Sequence, residues 1–175
     1  MQLIGAVAPA KDSKIVDIGG GASRVVDRLL DDGYTDVTVV DLSAAALDLA
    51  RARLGDRAGG VTWCVADARE VRLPEEVDVW HDRAVFHFLT EEADRAGYLD
   101  SVRRTLRVGG HVVIATFGPG GPERCSGLPV ERYDSDKLSR VFGPEFAMAS
   151  KLVKQHLTPA GTTQEFTYAV LRRVR

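Results

Sequence analysis

The sequence predicts an α/β fold in which one doubly wound, mostly parallel sheet of about seven strands ends in an antiparallel C-terminal strand pair. Two observations predict this fold. Short β-rich runs alternate with stretches of helical apolar spacing, and the last two strand-like runs are too close in sequence for a parallel crossover. A length of 175 residues fits a single domain spanning 1–175, which begins with a short lead-in over 1–13.

The first half of the chain predicts four strands, each bounded by turn residues. These strands are Lys14–Ile18, Asp36–Val40, Val61–Val65 and Val77–Trp80. Apolar residues at helical spacing predict one helix that ends at Gly33, and a second that begins after Ser43 as its N-cap and ends near Gly55.

The second half predicts a long amphipathic helix, a buried strand and the antiparallel pair. The helix carries apolar residues from Tyr98 to Leu106, with Gly109–Gly110 as its expected end, and strand His111–Phe117 follows. Residues 118–133 are rich in glycine and proline and predict an irregular loop. The remaining predicted elements are a short helix over Asp134–Val141, strands Phe146–Val153 and Gln164–Val170, and a turn over 158–161.

Composition and charge exclude several classes of partner. The 23 Lys and Arg residues against 25 Asp and Glu give a net charge of −2, so nothing favours nucleic acid or a membrane surface. No apolar run approaches the ~20 residues of a membrane-spanning helix, and no export segment is visible.

Two cysteines, Cys64 and Cys125, suit a reducing compartment, so we expect a cytoplasmic protein. The histidines and cysteines show no zinc-site spacing, and no metal is expected.

Acidic and glycine residues mark the ends of three predicted strands. Gly19, Gly20 and Gly21 follow the first strand, Asp41 follows the second and Asp67 the third. Ligands of open parallel sheets bind beyond these carboxyl ends, and an acid after the second strand suits ribose hydroxyls. A glycine loop with a distant acid is a weak signal, because a dinucleotide site has the same two features.

Two details distinguish the possible ligands. Arg24 stands where the third glycine of the dinucleotide fingerprint belongs. Asp17 precedes the glycine loop, where a carboxylate would repel a pyrophosphate and attract a ligand with ammonium and sulfonium groups. S-adenosylmethionine carries both cations and no phosphate, so the electrostatics favour this cofactor.

The ordered motifs resemble those of class I S-adenosylmethionine-dependent methyltransferases. The run Ile15–Gly21 resembles their first motif, Asp41–Ser43 their ribose-binding acid, and Ala66–Ala68 their adenine-binding turn. Leu106–Ile114 resembles their helix-to-strand passage, so the likeness spans nearly the whole chain. The resemblance implies a Rossmann-like fold, methyl transfer from S-adenosylmethionine, and S-adenosylhomocysteine as the product.

The resemblance also implies roles for individual residues. Asp17 and the glycine loop would hold the methionine amine and carboxylate of the cofactor, Asp41 the ribose and Asp67 the adenine amino group. The complete set of expected cofactor-binding residues is Asp17, Gly19, Gly20, Gly21, Asp41, Leu42, Asp67, Ala68, His81 and Asp82. The segment Trp80–Leu89 would lie beside the transferred methyl group.

The acceptor site is expected between that segment and loop 118–133. His87 and Asp82 are the candidate catalytic residues, and the candidate substrate contacts are Arg83, His87, Cys125 and Tyr133. A structural ion pair of Asp82 with Arg83 and a half-buried structural His87 are the alternatives.

The expected acceptor is a small molecule, and three alternatives stay open. An acidic enzyme could instead receive a protein lysine. The chain could also be a non-catalytic module that binds S-adenosylmethionine, or an oxidoreductase with a nucleotide cofactor.

Overall fold

The computed structural model describes residues 1–158 and 161–175, which form a mixed α/β fold. The strands are β1 Lys14–Ile18, β2 Asp36–Asp41, β3 Val61–Val65, β4 Val77–Arg83, β5 Leu106–Phe117, β6 Arg124–Cys125, β7 Leu128–Pro129, β8 Phe146–Leu157 and β9 Thr163–Arg173. The α-helices are α1 Gln2–Val7, α2 Val25–Asp31, α3 Ala44–Leu54, α4 Glu92–Thr105 and α5 Ser135–Phe142, and short 3-10 helices cover Gly55–Gly60 and Phe86–Phe88.

Seven strands form one sheet in the order β3-β2-β1-β4-β5-β9-β8, which confirms the predicted fold class. The first five are parallel neighbours, whereas β9 pairs antiparallel with both β5 and β8. The strand order reverses between β1 and β4. The carboxyl ends of these two strands therefore flank the crevice in which doubly wound sheets bind ligands.

Helices cover both faces of the sheet. On one face, Ile4 of α1, Val26 of α2 and Leu47 of α3 pack against Val79 and Val113 in one buried cluster. The opposite face carries α4 and α5, whose buried side chains include Tyr98 and Phe142. Side chains alternate along each strand, so successive residues of β4 face these two different layers.

The two glycines expected to end the long helix lie inside a strand. Helix α4 ends at Thr105, and Leu106 already pairs with Val77. The register between β4 and β5 then shifts, with Gly109 at φ +85° and a Cβ at Gly110 only 2.9 Å from the Asp78 carbonyl oxygen. The glycines therefore allow a bulge in β5 rather than a helix C-terminus.

The other differences are changes of extent and one short hairpin in residues 118–133, where an irregular loop was predicted. Strand β4 continues three residues beyond Trp80, β8 and β9 are longer than expected, and the short β6–β7 hairpin lies within residues 118–133. The lead-in over 1–13 contains α1. The predicted turn over 158–161 includes Pro159 and Ala160, which lie outside the described residues.

Candidate functional site

Two cavities open beside the carboxyl halves of the central strands. The first, here called the loop cavity, has a volume of about 480 Å³ and lies where β1, β2 and β3 end. Its walls include Gly19, Asp41, Leu42, Asp67, Ala68, Arg83, Val85 and Leu128. The second, here called the α1 cavity, measures about 330 Å³ and lies between α1 and strands β4, β5, β8 and β9. Its walls include Ile4, His81, Val113, Ala115, Leu152, Lys154 and Tyr168.

The two cavities meet strand β4 at consecutive positions. His81 and Asp82 contribute to the α1 cavity, whereas Arg83 and Ala84 contribute to the loop cavity. Ala84 has φ +69°, a left-handed conformation that an alanine adopts at some cost, and its N–H donates to the Ala115 carbonyl at 2.8 Å. A turn with a strained residue therefore lies where the two cavities adjoin along β4.

Five of the residues predicted to bind the cofactor line the loop cavity together. They are Gly19, Asp41, Leu42, Asp67 and Ala68, contributed by the segments that follow β1, β2 and β3. The structure thus brings the three sequence motifs to one place, because parallel strands end at the same edge of the sheet.

Asp41 is the last residue of β2. One of its carboxylate oxygens accepts a hydrogen bond, and the other faces the glycine loop. Its Oδ1 accepts the backbone N–H of Ser43 at 2.8 Å, and Ser43 in turn caps α3 through Ala46. A Cβ at Gly21 would collide with Oδ2 of Asp41. The Ser43 turn therefore fixes the direction of this carboxylate.

Asp67 lies in the loop cavity with its carboxylate held by Arg69. Both oxygens of Asp67 accept hydrogen bonds from the Arg69 guanidinium, at 2.9 Å from Nε and 2.5 Å from Nη2. These hydrogen bonds lower the pKa of Asp67, so the carboxylate is charged. Arg69 also bonds Asp94 at 2.5 Å, which ties the segment after β3 to the start of α4.

Two glycines of the loop are needed for packing rather than for contact with a ligand. Gly20 and Gly21 are buried and do not line the loop cavity. A Cβ at Gly20 would lie 2.7 Å from Cγ1 of Val39, and one at Gly21 would lie 2.9 Å from Cβ of Ala46. Gly19, at φ +67°, does line the cavity, and a Cβ there would collide with Val85.

Asp17 and His81 form a buried pair beneath this loop instead of lining the loop cavity. Asp17 is 2% exposed, and its Oδ1 lies 2.6 Å from Nδ1 of His81 on the neighbouring strand. Asp17 is therefore not part of the wall of the loop cavity. The resemblance had implied that it contacts the cofactor amine directly.

Asp82, predicted as a catalytic and cofactor-binding residue, has a structural position instead. Its carboxylate is fully buried and accepts three hydrogen bonds, from the N–H groups of Val85 and Phe86 and from the Tyr98 hydroxyl at 2.6 Å. Burial raises the pKa of Asp82 to about 6. Asp82 thus fastens the turn after β4, and its fully buried carboxylate is not part of the loop cavity. It makes no ion pair with Arg83 among the described residues.

His87 and Tyr133, predicted as acceptor contacts, lie inside the core. Both are 0% exposed, and neither lines the loop cavity or the α1 cavity. The His87 ring lies in the 3-10 turn with its centroid 4.6 Å from that of Phe117, and its Nδ1 accepts the Phe117 N–H at 3.3 Å. Burial lowers the pKa of His87 to about 4 and raises that of Tyr133 to about 12. This structure therefore gives His87 no access to an acceptor.

Arg83 and Cys125 have different positions relative to the cavities. Arg83 lines the loop cavity, and its guanidinium carbon lies 5.5 Å from the centre of the Phe166 ring. Cys125 packs in the hairpin against a small cluster that includes Phe117 and Phe166 and lines neither cavity. Leu128 of the same hairpin does line the loop cavity, so loop 118–133 reaches its rim.

Sequence reasoning missed several residues of the cavity walls. Lys154 and Tyr168 belong to no predicted site segment, whereas Val85 and Leu128 lie within segment Trp80–Leu89 and loop 118–133 but were not singled out. Strand alternation offered one usable signal, because it places Lys154, Tyr168 and His81 on the same face once the strand register is known.

The described residues include neither a helix suited to crossing a membrane nor a cluster of metal-binding side chains. Across residues 1–158 and 161–175 no helix has the length and apolar character of a membrane-spanning segment. The same residues contain no cluster of three or more side chains suited to a metal ion.

Comparison with known proteins places this geometry in one family. The family model described as "Methyltransferase domain" matches residues 15–110. A malonyl-[acyl-carrier protein] O-methyltransferase of Paenibacillus sp. is 30% identical over 115 residues, which cover 63% of this chain and 41% of that protein. The chain thus spans less than half the length of this curated relative.

Solved structures share the fold at low sequence identity. A SAM-dependent methyltransferase from Methanosarcina mazei superposes with a TM-score of 0.81 at 18% identity, covering 99% of this chain and 98% of that one. The 1,6-didemethyltoxoflavin-N1-methyltransferase of Burkholderia thailandensis, solved with 1,6-didemethyltoxoflavin and S-adenosylhomocysteine, gives a TM-score of 0.77 at 19% identity over 99% and 76% of the two chains.

The family model covers more than half of the chain, and the same motifs that it matches form the loop cavity. The predictions of superfamily and fold are therefore confirmed, and S-adenosylmethionine is the cofactor of that superfamily. The chain belongs to the methyltransferase domain family, within the class I S-adenosylmethionine-dependent methyltransferases.

Proposed function

We propose that this protein transfers the methyl group of S-adenosylmethionine to a small-molecule acceptor. The observation that carries the proposal is the convergence of Gly19, Asp41 and Asp67 on one cavity at the switch point of the sheet. Support for a small acceptor comes from the toxoflavin enzyme named above, whose bound acceptor is a small molecule.

The residues present fit this cofactor better than they fit a dinucleotide. Oδ2 of Asp17 is a buried carboxylate oxygen without a hydrogen-bond partner in the described structure, and its charge would attract a ligand with ammonium and sulfonium groups. Helix α2 has only seven residues, and the exposed Arg24 stands at its N-cap without capping it through its side chain. A pyrophosphate would find neither the third glycine nor a long helix there.

We assign the parts of the loop cavity as follows. Asp41 would accept hydrogen bonds from the ribose hydroxyls, and Leu42 and Ala68 would contact the faces of the adenine ring. Asp67 would accept a hydrogen bond from the adenine amino group while it stays bonded to Arg69, since each carboxylate oxygen has two lone pairs. Gly19 would allow the methionine end to approach the chain.

The chain's own task in the reaction is alignment and exclusion of water. The bound cofactor supplies an electrophilic methyl carbon, to which the acceptor's electron pair bonds as the carbon–sulfur pair leaves on sulfur. The turn at Ala84 would hold the acceptor in line, and residues 118–133 would cover the loop cavity from the side of Leu128. We also propose a single domain over 1–175 and a cytoplasmic location, which the free thiols of Cys64 and Cys125 support.

Binding and turnover experiments test the proposal separately. Isothermal titration should detect S-adenosylmethionine and S-adenosylhomocysteine and no NAD. A screen of small phenols, amines, carboxylates and thiols with methyl-labelled S-adenosylmethionine should then find a methylated product. Binding without any turnover, with lysine-containing peptides included in the screen, would favour a non-catalytic module. Binding of NAD alone would favour the oxidoreductase.

A further inference from the structure

The Asp17–His81 pair has a geometry that the cofactor-binding role does not explain. Asp17 on β1 and His81 on β4 are partners in the parallel register, and both side chains face the layer that contains α1. The 2.6 Å bond joins Oδ1 of Asp17 to Nδ1 of His81. Because a carboxylate only accepts, this bond places the proton of the neutral imidazole on Nδ1 and the free electron pair on Nε2.

The other edge of the His81 ring is available to a ligand. His81 lines the α1 cavity with 11% of its side chain exposed. Within the described residues the ring makes a single hydrogen bond, through Nδ1 to Asp17. His87 differs in both respects, because it is fully buried and its Nε2 meets no cavity.

Asp17 connects this histidine to the glycine loop. Its Oδ1 bonds His81, and a Cβ added to Gly20 would lie 2.6 Å from its Oδ2. One buried carboxylate therefore lies against both His81, which lines the α1 cavity, and Gly20, whose neighbour Gly19 lines the loop cavity. This is the position needed to orient a group that acts on an acceptor lying next to the cofactor.

We propose that the α1 cavity receives the acceptor and that Nε2 of His81 is the general base that removes its proton. Asp17 is the positioning residue that fixes the ring. The inference rests on the proposed function and deepens it, because it selects acceptors whose nucleophilic atom loses a proton on methylation, such as a neutral hydroxyl or a protonated amine.

The walls of the α1 cavity define the acceptor further. Val113, Ala115 and Leu152 make most of the surface apolar, and Tyr168 and Lys154 add a hydroxyl and a positive charge. Lys154 forms no ion pair with another side chain in the described part of the chain. A small apolar molecule with a protic nucleophile and an anionic group suits this surface.

His81 and Asp17 account for the proton that the acceptor loses in this step. The proton leaves the acceptor's oxygen or nitrogen for Nε2 of His81 as the acceptor's electron pair forms the new bond to carbon. The resulting imidazolium is stabilised by the Asp17 carboxylate, and it then releases its proton to solvent. A positioned base of this kind contributes on the order of 100-fold to 10,000-fold in rate.

The first test is independent of any acceptor. Long-range ¹H–¹⁵N NMR of the labelled full chain at pH 7.5, with and without S-adenosylhomocysteine, reports which nitrogen of each histidine carries a proton. Single histidine-to-glutamine variants assign the four rings. We expect the neutral His81 ring to carry its proton on Nδ1. A doubly protonated His81 ring, or a neutral ring protonated on Nε2, would overturn the proposal.

The Asp17→Asn and Asp17→Ala variants test the positioning role with the same readout. We expect Asp17→Ala to lose the Nδ1–H preference, whereas Asp17→Asn keeps an acceptor oxygen and retains part of it. Circular dichroism identifies any variant that fails to fold. If both variants fail to fold, the spectrum of the parent chain still tests which nitrogen of His81 carries the proton. An unchanged tautomer in folded Asp17→Ala would remove Asp17 from the proposal.

The second test compares two sets of acceptors in the parent chain and in His81→Gln. Phenols and primary amines lose a proton on methylation, whereas carboxylates and thioethers lose none at pH 7.5. We expect kcat for the first set to fall about 100-fold more than kcat for the second. Equal losses, or turnover restricted to the second set, would refute the base. Titration with S-adenosylhomocysteine distinguishes this failure from failure of the proposed function, which would abolish binding to the parent chain.

Discussion

Tyr98 donates its phenolic proton to Asp82 across 2.6 Å inside the core, and its oxygen accepts the indole N–H of Trp80 at 2.8 Å. Helix α4 is thereby fastened to the end of β4, where the chain turns between the two cavities. Because the Asp82 carboxylate is completely buried, each of its hydrogen bonds replaces one that water would otherwise make.

Removing this hydroxyl should therefore destabilise the fold. We expect Tyr98→Phe to lower the free energy of unfolding by about 3 kcal/mol at pH 7.5, since the lost bond is made to a charged group and the Trp80 N–H is also left unpaired. Urea denaturation followed by fluorescence measures the loss. Tyr34→Phe is the matched control, because Tyr34 donates to a neutral carbonyl, that of Ala8, and we expect it to cost about 1 kcal/mol. Equal losses in the two variants would contradict a charged, buried Asp82.

Burial of His87 should make the fold sensitive to mild acid. Its pKa is about 4 in the folded chain against 6.5 for the free side chain, so between these values the unfolded chain binds the proton and the folded chain does not. The contribution of His87 to the free energy of unfolding should therefore fall by about 3 kcal/mol as the pH drops from about 6.5 to 4, while the raised pKa of Asp82 acts in the opposite direction over the same range.

The variant His87→Phe should lack this component of the acid sensitivity. Denaturation curves at several pH values, compared with those of the parent chain, measure the difference. His156→Phe replaces an exposed histidine and serves as the control. If His87→Phe has the same pH dependence as the parent, then His87 does not stay neutral in the folded chain.

Even the smallest side chain at position 19 should weaken cofactor binding. Gly19→Ala adds a Cβ that collides with Val85 at the wall of the loop cavity, so we expect at least about a tenfold loss of S-adenosylhomocysteine affinity. Gly33→Ala carries the same kind of backbone strain, at φ +88°, but its Cβ meets nothing within 4 Å. This control should cost about 1 kcal/mol of stability and leave cofactor affinity intact.

A double variant distinguishes the steric collision with Val85 from the backbone strain at position 19. Adding Val85→Ala to Gly19→Ala removes the colliding methyl group, and we expect it to recover part of the stability lost in Gly19→Ala. Thermal and urea unfolding of the single and double variants give the coupling between the two positions. Additive losses would show that Val85 moves aside without cost.

Asp41 should contribute directly to cofactor affinity. Asp41→Ala removes the carboxylate from the loop cavity, so we expect S-adenosylhomocysteine binding to weaken by roughly 1–3 kcal/mol. Asp48→Ala on the outer surface of α3 changes the net charge equally and should leave binding unchanged. A loss below a few tenths of a kcal/mol in folded Asp41→Ala would exclude Asp41 as the ribose ligand.

The sequence by itself determined the sheet and the strand-end residues that meet in the loop cavity. Strand-end residues such as Gly19, Asp41 and Asp67 could be placed together in advance, because all parallel strands of a sheet end at the same edge. Local patterns were sufficient there, since each motif directly follows its own strand and the strand order follows from right-handed crossovers.

Tertiary structure decided which side chains near β4 can meet an acceptor. The strand continues to Arg83 instead of ending at Trp80, and its alternation directs His81 toward α1 and Asp82 into the opposite layer. His87, with the same chemistry and only six residues further along, follows the strained turn into the core. Local sequence could not distinguish the two histidines, because their access to a ligand depends on one residue of strand register and on contacts from distant segments.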